Sequence, residues 1–447
     1  MHQIKTCRLR LAVLVSLLAG HSLVSALEVE PGVGAGLLYT DNARLAPDNE
    51  EDDLVVVGYV GANITEEGGP LRINASAEVI HLNYTDNTFS DKTYPSLRAT
   101  AGWEQIKGHL DWNVQNFFTQ QTVDSVDGVT PDNIQNTNVF TFGPAIILPI
   151  SARQRITVTP EFRDFYYEDF GDDNQQYALS ANWLYRLYRT MGIGLDGGVT
   201  RVDYKSGGEA QESGGEAQDY TRTNVHVGVS GSRARSTYSV NLGRTRIDRE
   251  ESSSEGGFTG DLDLSYRLTG HSSARAYLAS EITDTSNILL NSETNPENGG
   301  FSNVQTSNDV LRDSIMRLTY SYEGATINSH FYGELRDLDY KESQDDRDIR
   351  EVGADLSYSV TQLLTTGILG TYTRVKRTDI GSRDTRYSIT GRLGYNLSRK
   401  LKANFDVRYQ DQSSNSDLVS EYSEFSTFVS LVYGFARVSR PESRSRF

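Results

Sequence analysis

Charged and tyrosine side chains recur at alternate positions through the second half of the sequence, where they could do chemistry together. Arg392, Asp406 and Arg408, for example, alternate with apolar residues. If these segments are neighbouring strands that enclose a space, such groups would form ion pairs across the strands. The ion pairs would hold a wide, water-filled lumen open. The same groups could instead form a polar path that contacts a passing anionic or neutral glycan. Both interpretations stay open for the predicted lining residues, which are Arg267, Arg275, Tyr277, Arg317, His330, Tyr332, Arg336, Arg392, Arg408, Asp261, Asp263, Glu281, Glu334, Asp355 and Asp406.

The sequence segments that could be catalytic or metal-binding motifs do not match the known patterns. The histidines that follow the N-terminal leader show no metal-ligand spacing; they are His81, His109, His226, His271 and His330. The segment 228–232 reads GVSGS, and its fifth residue departs from a nucleophile elbow. The glycines of segment 32–36 read G-x-G-x-G within a strand pattern, without the helix that a dinucleotide site needs. We therefore predict no catalytic residues, no metal and no cofactor.

The elements that carry the polar residues are predicted strands, and the clearest pair lies at 386–411. Apolar or small residues occupy every second position on both sides of a short turn, Ser398 to Lys400. Period two means a strand with two chemically different faces. A face with arginine and aspartate cannot be a packed core, and the other face is too apolar for water. Apolar outside and polar inside is the pattern of a membrane β-barrel.

The whole chain repeats this hairpin, which predicts an all-β fold. We expect a transmembrane antiparallel up-and-down β-barrel of about 20 strands, with 18 or 22 as alternatives. Short turns and long polar loops alternate along the chain, and the short turns are expected on the periplasmic side. A propeller is disfavoured because its blades bury both sheet faces, whereas these strands carry charges at alternate positions.

The two ends of the chain divide it into three predicted regions. Residues 1–26 are predicted to be a signal peptide, with Lys5, Arg8 and Arg10 before an apolar run too short to span a bilayer. The barrel is expected over 27–435, and a short periplasmic tail over 436–447. The only cysteine, Cys7, lies in the leader, so thiol chemistry is not expected in the mature chain.

Composition agrees with an exported barrel and excludes some partners. Of the 447 residues, 37% are hydrophobic, with 25 tyrosines and 16 phenylalanines. Aromatic residues of this kind form the girdles of membrane barrels. The formal charge is −17, and it becomes −20 without the three basic leader residues. Since phosphate binding needs a basic surface, we predict no nucleic-acid partner.

Two short motifs resemble a known group of barrels. Residues Tyr39 to Pro47 read YTDNARLAP, and WLYRL at 183–187 is followed by RVDY at 201–204. These segments are similar to those of the EpsL-like and PEP-CTERM-associated β-barrel porin proteins encoded in exopolysaccharide operons. The resemblance implies a bacterial outer-membrane protein that serves secretion of an exopolysaccharide, such as a biofilm or capsule-like matrix, as a conduit.

The expected partners follow from the barrel and from this resemblance. They are outer-membrane lipid, the barrel-assembly machinery, a polysaccharide and periplasmic export components. Two other functions remain open from the sequence. One is a general diffusion porin or small-solute channel, and the other is a structural or adhesive barrel that acts through its loops.

Overall fold

The structure is a computed structural model that describes most of the chain. It covers residues 27–124, 127–205, 219–249, 254–294, 309–341, 343, 345–378 and 380–434. The predicted signal peptide at 1–26 and the predicted tail at 436–447 lie outside the described residues.

Twenty strands form one antiparallel sheet that closes on itself, because the first strand pairs with both the second and the last. The predicted transmembrane up-and-down barrel of about 20 strands is thereby confirmed. The strands are β1 (Glu28–Thr40), β2 (Asp53–Glu66), β3 (Leu71–Tyr84), β4 (Lys92–Ile106), β5 (Leu110–Thr122), β6 (Ile134–Ser151), β7 (Gln154–Tyr167), β8 (Asn174–Tyr188), β9 (Met191–Tyr204), β10 (Tyr220–Ser232), β11 (Ser236–Arg249), β12 (Glu255–Arg267), β13 (Ser272–Asp284), β14 (Val310–Glu323), β15 (Ile327–Tyr340), β16 (Arg347–Ser359), β17 (Leu364–Arg377), β18 (Arg383–Asn396), β19 (Leu401–Ser414) and β20 (Tyr422–Gly434).

Connection length separates the two ends of the barrel. Connections at the short-turn end have four residues or fewer, whereas those at the other, long-loop end have five or more. In the turn between β18 and β19, the backbone N–H groups of Lys400 and Leu401 both donate to the Ser398 hydroxyl, at 3.3 and 3.1 Å. Local side-chain bonds of this kind stabilise tight turns, so the predicted hairpin closes where its sequence turns.

The outer face of the sheet carries a belt of exposed apolar side chains. Phe258, for example, is 84% exposed, and Leu242 on the next strand is also exposed. In water such a contiguous surface would be costly, because burying one apolar side chain is favourable by about 1.5–3 kcal/mol relative to leaving it exposed. The belt is the surface that a bilayer would cover.

The inner face is not polar along its whole length. Near the long-loop end it carries buried apolar residues, such as Val55, Val57, Ile80 and Phe428, which form one cluster on β2, β3 and β20. Three further clusters lie on other strands near the same end. The inner face is thus apolar near the long-loop end and polar nearer the short turns. Two of the four clusters also include residues of the segment that follows β13.

One helix, α1 (Thr285–Thr294), follows β13 and lies inside the barrel against these clusters. The sequence analysis predicted long polar loops and no helix, so α1 is a feature that it missed. A 3-10 turn, Pro131–Asn133, precedes β6. Among the described residues, no helix is long and apolar enough to cross a membrane.

Candidate functional site in the lumen

The structure places all the predicted lining residues on the inner face of their strands, opposite the exposed apolar residues. Two of the arginines make paired contacts with a carboxylate. Arg275 donates from Nε and Nη2 to Asp263 at 2.9 and 2.6 Å. Arg336 does the same to Asp313 at 2.9 and 2.7 Å. Two parallel hydrogen bonds hold each guanidinium in a fixed orientation.

A second group of predicted residues meets on β14, β15 and β16. Arg317 Nη1 lies 3.1 Å from Glu334 Oε2, and its guanidinium lies 4.5 Å from the ring centre of Tyr332. The Tyr332 hydroxyl donates to Glu351 Oε1 at 2.5 Å. His330 Nδ1 is 3.1 Å from the Ser321 hydroxyl. This wall is therefore a network of charged and hydroxyl groups, in which each arginine has a defined partner.

The other predicted residues are distributed more widely. Arg392 pairs with Asp355 at 2.6 Å, whereas Arg408 pairs with Glu424 at 2.9 Å. Arg267 is exposed at the short-turn end, far along β12 from the other charges. Asp406 lies on β19, between Arg408 and the short turn. The structure therefore brings together most of the predicted residues of β12 to β16. Arg267 lies apart from them, and Arg392 and Arg408 each pair with one carboxylate.

Three carboxylates that the sequence analysis missed take part in these contacts: Asp313, Glu351 and Glu424. Strand periodicity could have found two of them. Asp313 lies four positions before Arg317, and Glu351 lies four positions before Asp355, so each shares the inner face with a predicted residue. Glu424 was harder to assign, because the inner face of β20 mixes polar residues with Phe428 and Val432.

A polar cavity of about 330 Å³ lies between the β11–β15 wall and α1. The wall contributes predicted residues, and α1 contributes Ile288 and Asn291. Carboxylates outnumber cations in this lining, since one arginine faces four acidic side chains. The charged and aromatic residues that line it are Asp261, Asp263, Tyr277, Glu281, Asp313 and Arg336.

Polar side chains of α1 dock onto the strands β7, β8 and β10. The Ser286 hydroxyl is 3.0 Å from the Tyr167 hydroxyl and accepts from Asn174 Nδ2 at 2.9 Å. The Asn287 Oδ1 accepts from Arg163 Nη1 at 3.1 Å and from Arg222 Nη2 at 3.3 Å. Ser286 and Asn287 are both buried, so these bonds are shielded from competing water.

The start of α1 is held by a buried carboxylate at the end of β13. Asp284 Oδ1 accepts from the backbone N–H of Asn287 at 2.7 Å, and Oδ2 accepts from Asn287 Nδ2 at 2.8 Å. This is the contact by which an aspartate caps the first turn of a helix. The Tyr220 hydroxyl also donates to Asp284. The cap thereby ties α1 to the barrel wall at β10.

Apolar side chains of α1 contact two separate walls of the barrel. Ile288 packs with Leu311, Ile349 and other residues of β14 to β17. Leu289 and Leu290 pack instead with Phe117, Val139, Phe165 and Tyr167 of β5 to β7. Since many strands separate these walls along the sheet, α1 crosses the lumen and connects them. We refer to all these contacts of 284–290 as the α1 seat.

A second inward segment, residues 127–133 of the β5–β6 loop, lies at the mouth of the long-loop end. Arg386 Nη2 of β18 donates to the backbone carbonyl of Asp127 at 3.2 Å. A Cβ added to Gly128 would lie 2.4 Å from Leu45 Cδ1, so Gly128 approaches the β1–β2 loop closely. Burial and the neighbouring Asp124 raise the pKa of the Asp127 carboxyl above its usual range. This loop therefore packs across the mouth towards the opposite wall.

Within the described ranges, no group of three or more histidine, cysteine, aspartate or glutamate side chains is arranged to hold a metal ion. The functional groups present are carboxylates, guanidiniums, amides and hydroxyls. Such an arrangement suits hydrogen bonding to a hydroxyl-rich solute.

The fold and the lumen define a class: the chain has a porin- and transporter-like β-barrel fold. More particularly, residues 347–435, which include β16 to β20, match the family described as "Putative beta-barrel porin 2". The porin part of the resemblance noted in the sequence is thus supported, whereas the link to exopolysaccharide operons stays a prediction. No curated protein matches the sequence.

Solved structures of similar fold have little sequence in common with this chain. The FrpB iron transporter from Neisseria meningitidis (F3-3 variant) is 10% identical, with 92% of this chain and 82% of that chain covered and a TM-score of 0.50. The siderophore receptor PirA from Acinetobacter baumannii is 8% identical, with 91% and 80% covered and a TM-score of 0.49. OccK2 (OpdF) from Pseudomonas aeruginosa, in complex with glucuronate, is 9% identical, with 93% and 100% covered and a TM-score of 0.42. The porin- and transporter-like fold agrees with a non-enzymatic role, and the absence of catalysis stays a prediction.

Proposed function

We propose that the protein is an outer-membrane channel through which an exopolysaccharide passes to the cell surface. The observation that carries this proposal is the polar inner wall of β12 to β16, which leads from the short-turn end to the cavity beneath α1. The exposed apolar belt supports the outer-membrane location. The partners in this proposal are outer-membrane lipid, the barrel-assembly machinery, the polysaccharide and periplasmic export components.

The chemistry of the wall suits a glycan. Sugar hydroxyls both donate and accept hydrogen bonds, and the cavity offers acceptors such as Asp261 and Glu281 and donors such as Asn291. The aromatic ring of Tyr277 adds an apolar surface for the faces of sugar rings. Because carboxylates outnumber cations there, an acidic glycan would be repelled. The proposed solute is therefore a neutral polysaccharide.

A general diffusion porin or small-solute channel is the second candidate. The match of β16 to β20 to a porin family favours it. The position of α1 across the lumen argues against it, because a free diffusion pore needs an open path. The two candidates differ in what blocks the channel and in what the cell loses without it.

The decisive experiment is deletion of the gene, with secreted polysaccharide measured in the medium. We expect secretion to fall, and to return with the wild-type gene. The Tyr277→Ala and Glu281→Ala variants should restore it only in part, whereas Asn404→Ala should restore it fully. Asn404 is a matched control, because it lies on the inner face of β19 and bonds Ser430 outside the cavity. Unchanged secretion after deletion would remove the export function.

A purified-protein experiment separates the candidates further. In planar bilayers, a neutral oligosaccharide should reduce the ion current through the wild-type protein more than an acidic one of the same length. The Tyr277→Ala variant should lose most of that block. Equal block by both sugars, or block only by small ions and metabolites, would favour the small-solute channel.

A further inference from the structure

Helix α1 is an insertion into the lumen that the barrel does not need for its own closure. Strands β13 and β14 on either side of the insertion pair with each other directly, from Ser272 with Tyr322 to Asp284 with Val310. Helix α1 therefore follows a strand that is already joined to the next strand of the sheet. Movement of α1 would break none of the backbone pairs of the sheet.

The sequence of α1 is a poor helix former by itself. Its ten residues read TSNILLNSET, in which threonine, serine and asparagine supply most positions. These residues have low helix propensity, and isolated helices shorter than about 12 residues are marginal in water. The helix thus depends on the α1 seat: the cap from Asp284, the polar contacts of Ser286 and Asn287, and the apolar contacts of Leu289 and its neighbours.

We propose that α1 is a displaceable gate, which closes the lumen when it is seated and opens it when it leaves the seat and unwinds. This inference rests on the proposed channel function and names its regulation. Because the helix and its seat stabilise each other, undocking and unwinding occur together, which gives two discrete states. Seated α1 links the β5–β7 wall to the β14–β17 wall, so its release also frees the two walls from each other.

The test is a reversible covalent lock. The only cysteine, Cys7, falls in the predicted signal peptide, so introduced pairs have no competing thiol in the mature chain. The locking pair is Asn174→Cys with Ser286→Cys, since these side chains are 2.9 Å apart across the seat. The control pair is Thr371→Cys with Ser388→Cys, register partners on the inner face whose hydroxyls are 3.0 Å apart. Both pairs are joined by oxidation, or by a short bis-methanethiosulfonate reagent where the thiols do not meet.

Conductance is measured in planar bilayers on the same folded protein before and after reduction. We expect the locked seat to lower the open-channel current at least tenfold, with full recovery after reduction. The control lock should change it by less than a factor of two. A second variant, Asn287→Ala, should raise the fraction of time spent open at least tenfold relative to Asn404→Ala.

The outcomes separate the gate from the channel. Equal currents from the locked and reduced seat, together with wild-type behaviour of Asn287→Ala, would overturn the gate and leave the channel function standing. If the wild-type protein does not conduct, a variant in which residues 286–293 are replaced by a glycine-serine linker is measured in the same way. If neither it nor the wild type conducts, although heat-modifiable migration shows folded barrels, the proposed channel and its gate both fail.

Discussion

The Asn287→Ala substitution gives a quantitative test of the α1 seat that does not depend on transport. Asn287 is buried, and its Oδ1 accepts from Arg163 and Arg222 at 3.1 and 3.3 Å. Its Nδ2 donates to Asp284 at 2.8 Å. Alanine removes all three side-chain hydrogen bonds but retains the backbone cap from Asp284. The variant should therefore loosen α1 while the strand pairing of the barrel stays intact.

The size of the effect follows from the partners that remain. A hydrogen bond to a charged group contributes about 1.5–3 kcal/mol net. The two guanidiniums keep other contacts, since Arg163 pairs with Glu161 and Arg222 donates to Thr283. We therefore take a total cost of about 2–3 kcal/mol for the seat. At tenfold for each 1.4 kcal/mol, the ratio of released to seated helix rises roughly 30- to 150-fold.

Hydrogen–deuterium exchange with mass spectrometry in detergent micelles measures this ratio directly. Exchange in a peptide that covers α1 should accelerate by that factor, while peptides from β13 and β14 keep their wild-type rates. The Asn404→Ala variant is the control and should leave α1 exchange unchanged. Wild-type exchange of α1 in Asn287→Ala would refute the seat energetics, and faster exchange throughout β13 and β14 would mean that the helix stabilises the barrel itself.

Three further substitutions test the packing around the lumen. Phe428→Ala should lower the free energy of unfolding by about 3–5 kcal/mol, because the ring is completely buried in the inner cluster. The loss is measured by urea unfolding, with the folded fraction read from the heat-modifiable band on a gel. Arg336→Ala should lower the free energy of unfolding by a similar amount, about 3–5 kcal/mol, because it leaves the Asp313 carboxylate without its paired contact. The double variant Arg336→Met with Asp313→Leu removes both charges, so its loss of stability in the same experiment should be far smaller. Asp127→Asn should raise the melting temperature at pH 7 and leave it unchanged near pH 3. The raised pKa of Asp127 means that the folded protein binds this proton more tightly, so it loses stability as pH rises through that pKa.

Each of these three predictions has an outcome that would contradict it. A loss below about 1 kcal/mol for Phe428→Ala would mean that the inner cluster is hydrated or can repack. A double variant as unstable as Arg336→Ala would show that an unpaired Asp313 carboxylate is not the cause of the loss. A constant difference between Asp127→Asn and wild type at every pH would show that the carboxyl does not titrate in the docked loop.

Local sequence predicted the strands and their two faces because the side-chain period of a strand is a local property. In the hairpin at 386–411, alternation placed Arg392 and Arg408 on the inner face, and the structure pairs each with a carboxylate of another strand. The choice of partner was harder to predict. Arg408 pairs with Glu424, which lies on a strand whose inner face mixes polar and apolar residues.

The content of the lumen near the long loops was decided only by tertiary structure. At the start of β2, Val55, Val56 and Val57 are all apolar, so the pattern there could not say that Val55 and Val57 are buried on the inner face while Val56 is exposed. The helix α1 was equally hidden, because serine, asparagine and threonine predict a loop until distant walls supply the contacts that hold a helix. By itself, then, the sequence determined a closed barrel with a polar inner wall, since alternation acts within each strand. Only the folded chain decided that a segment after β13 crosses the lumen, because its helix depends on contacts with residues far away in sequence, such as Phe165 and Ile349.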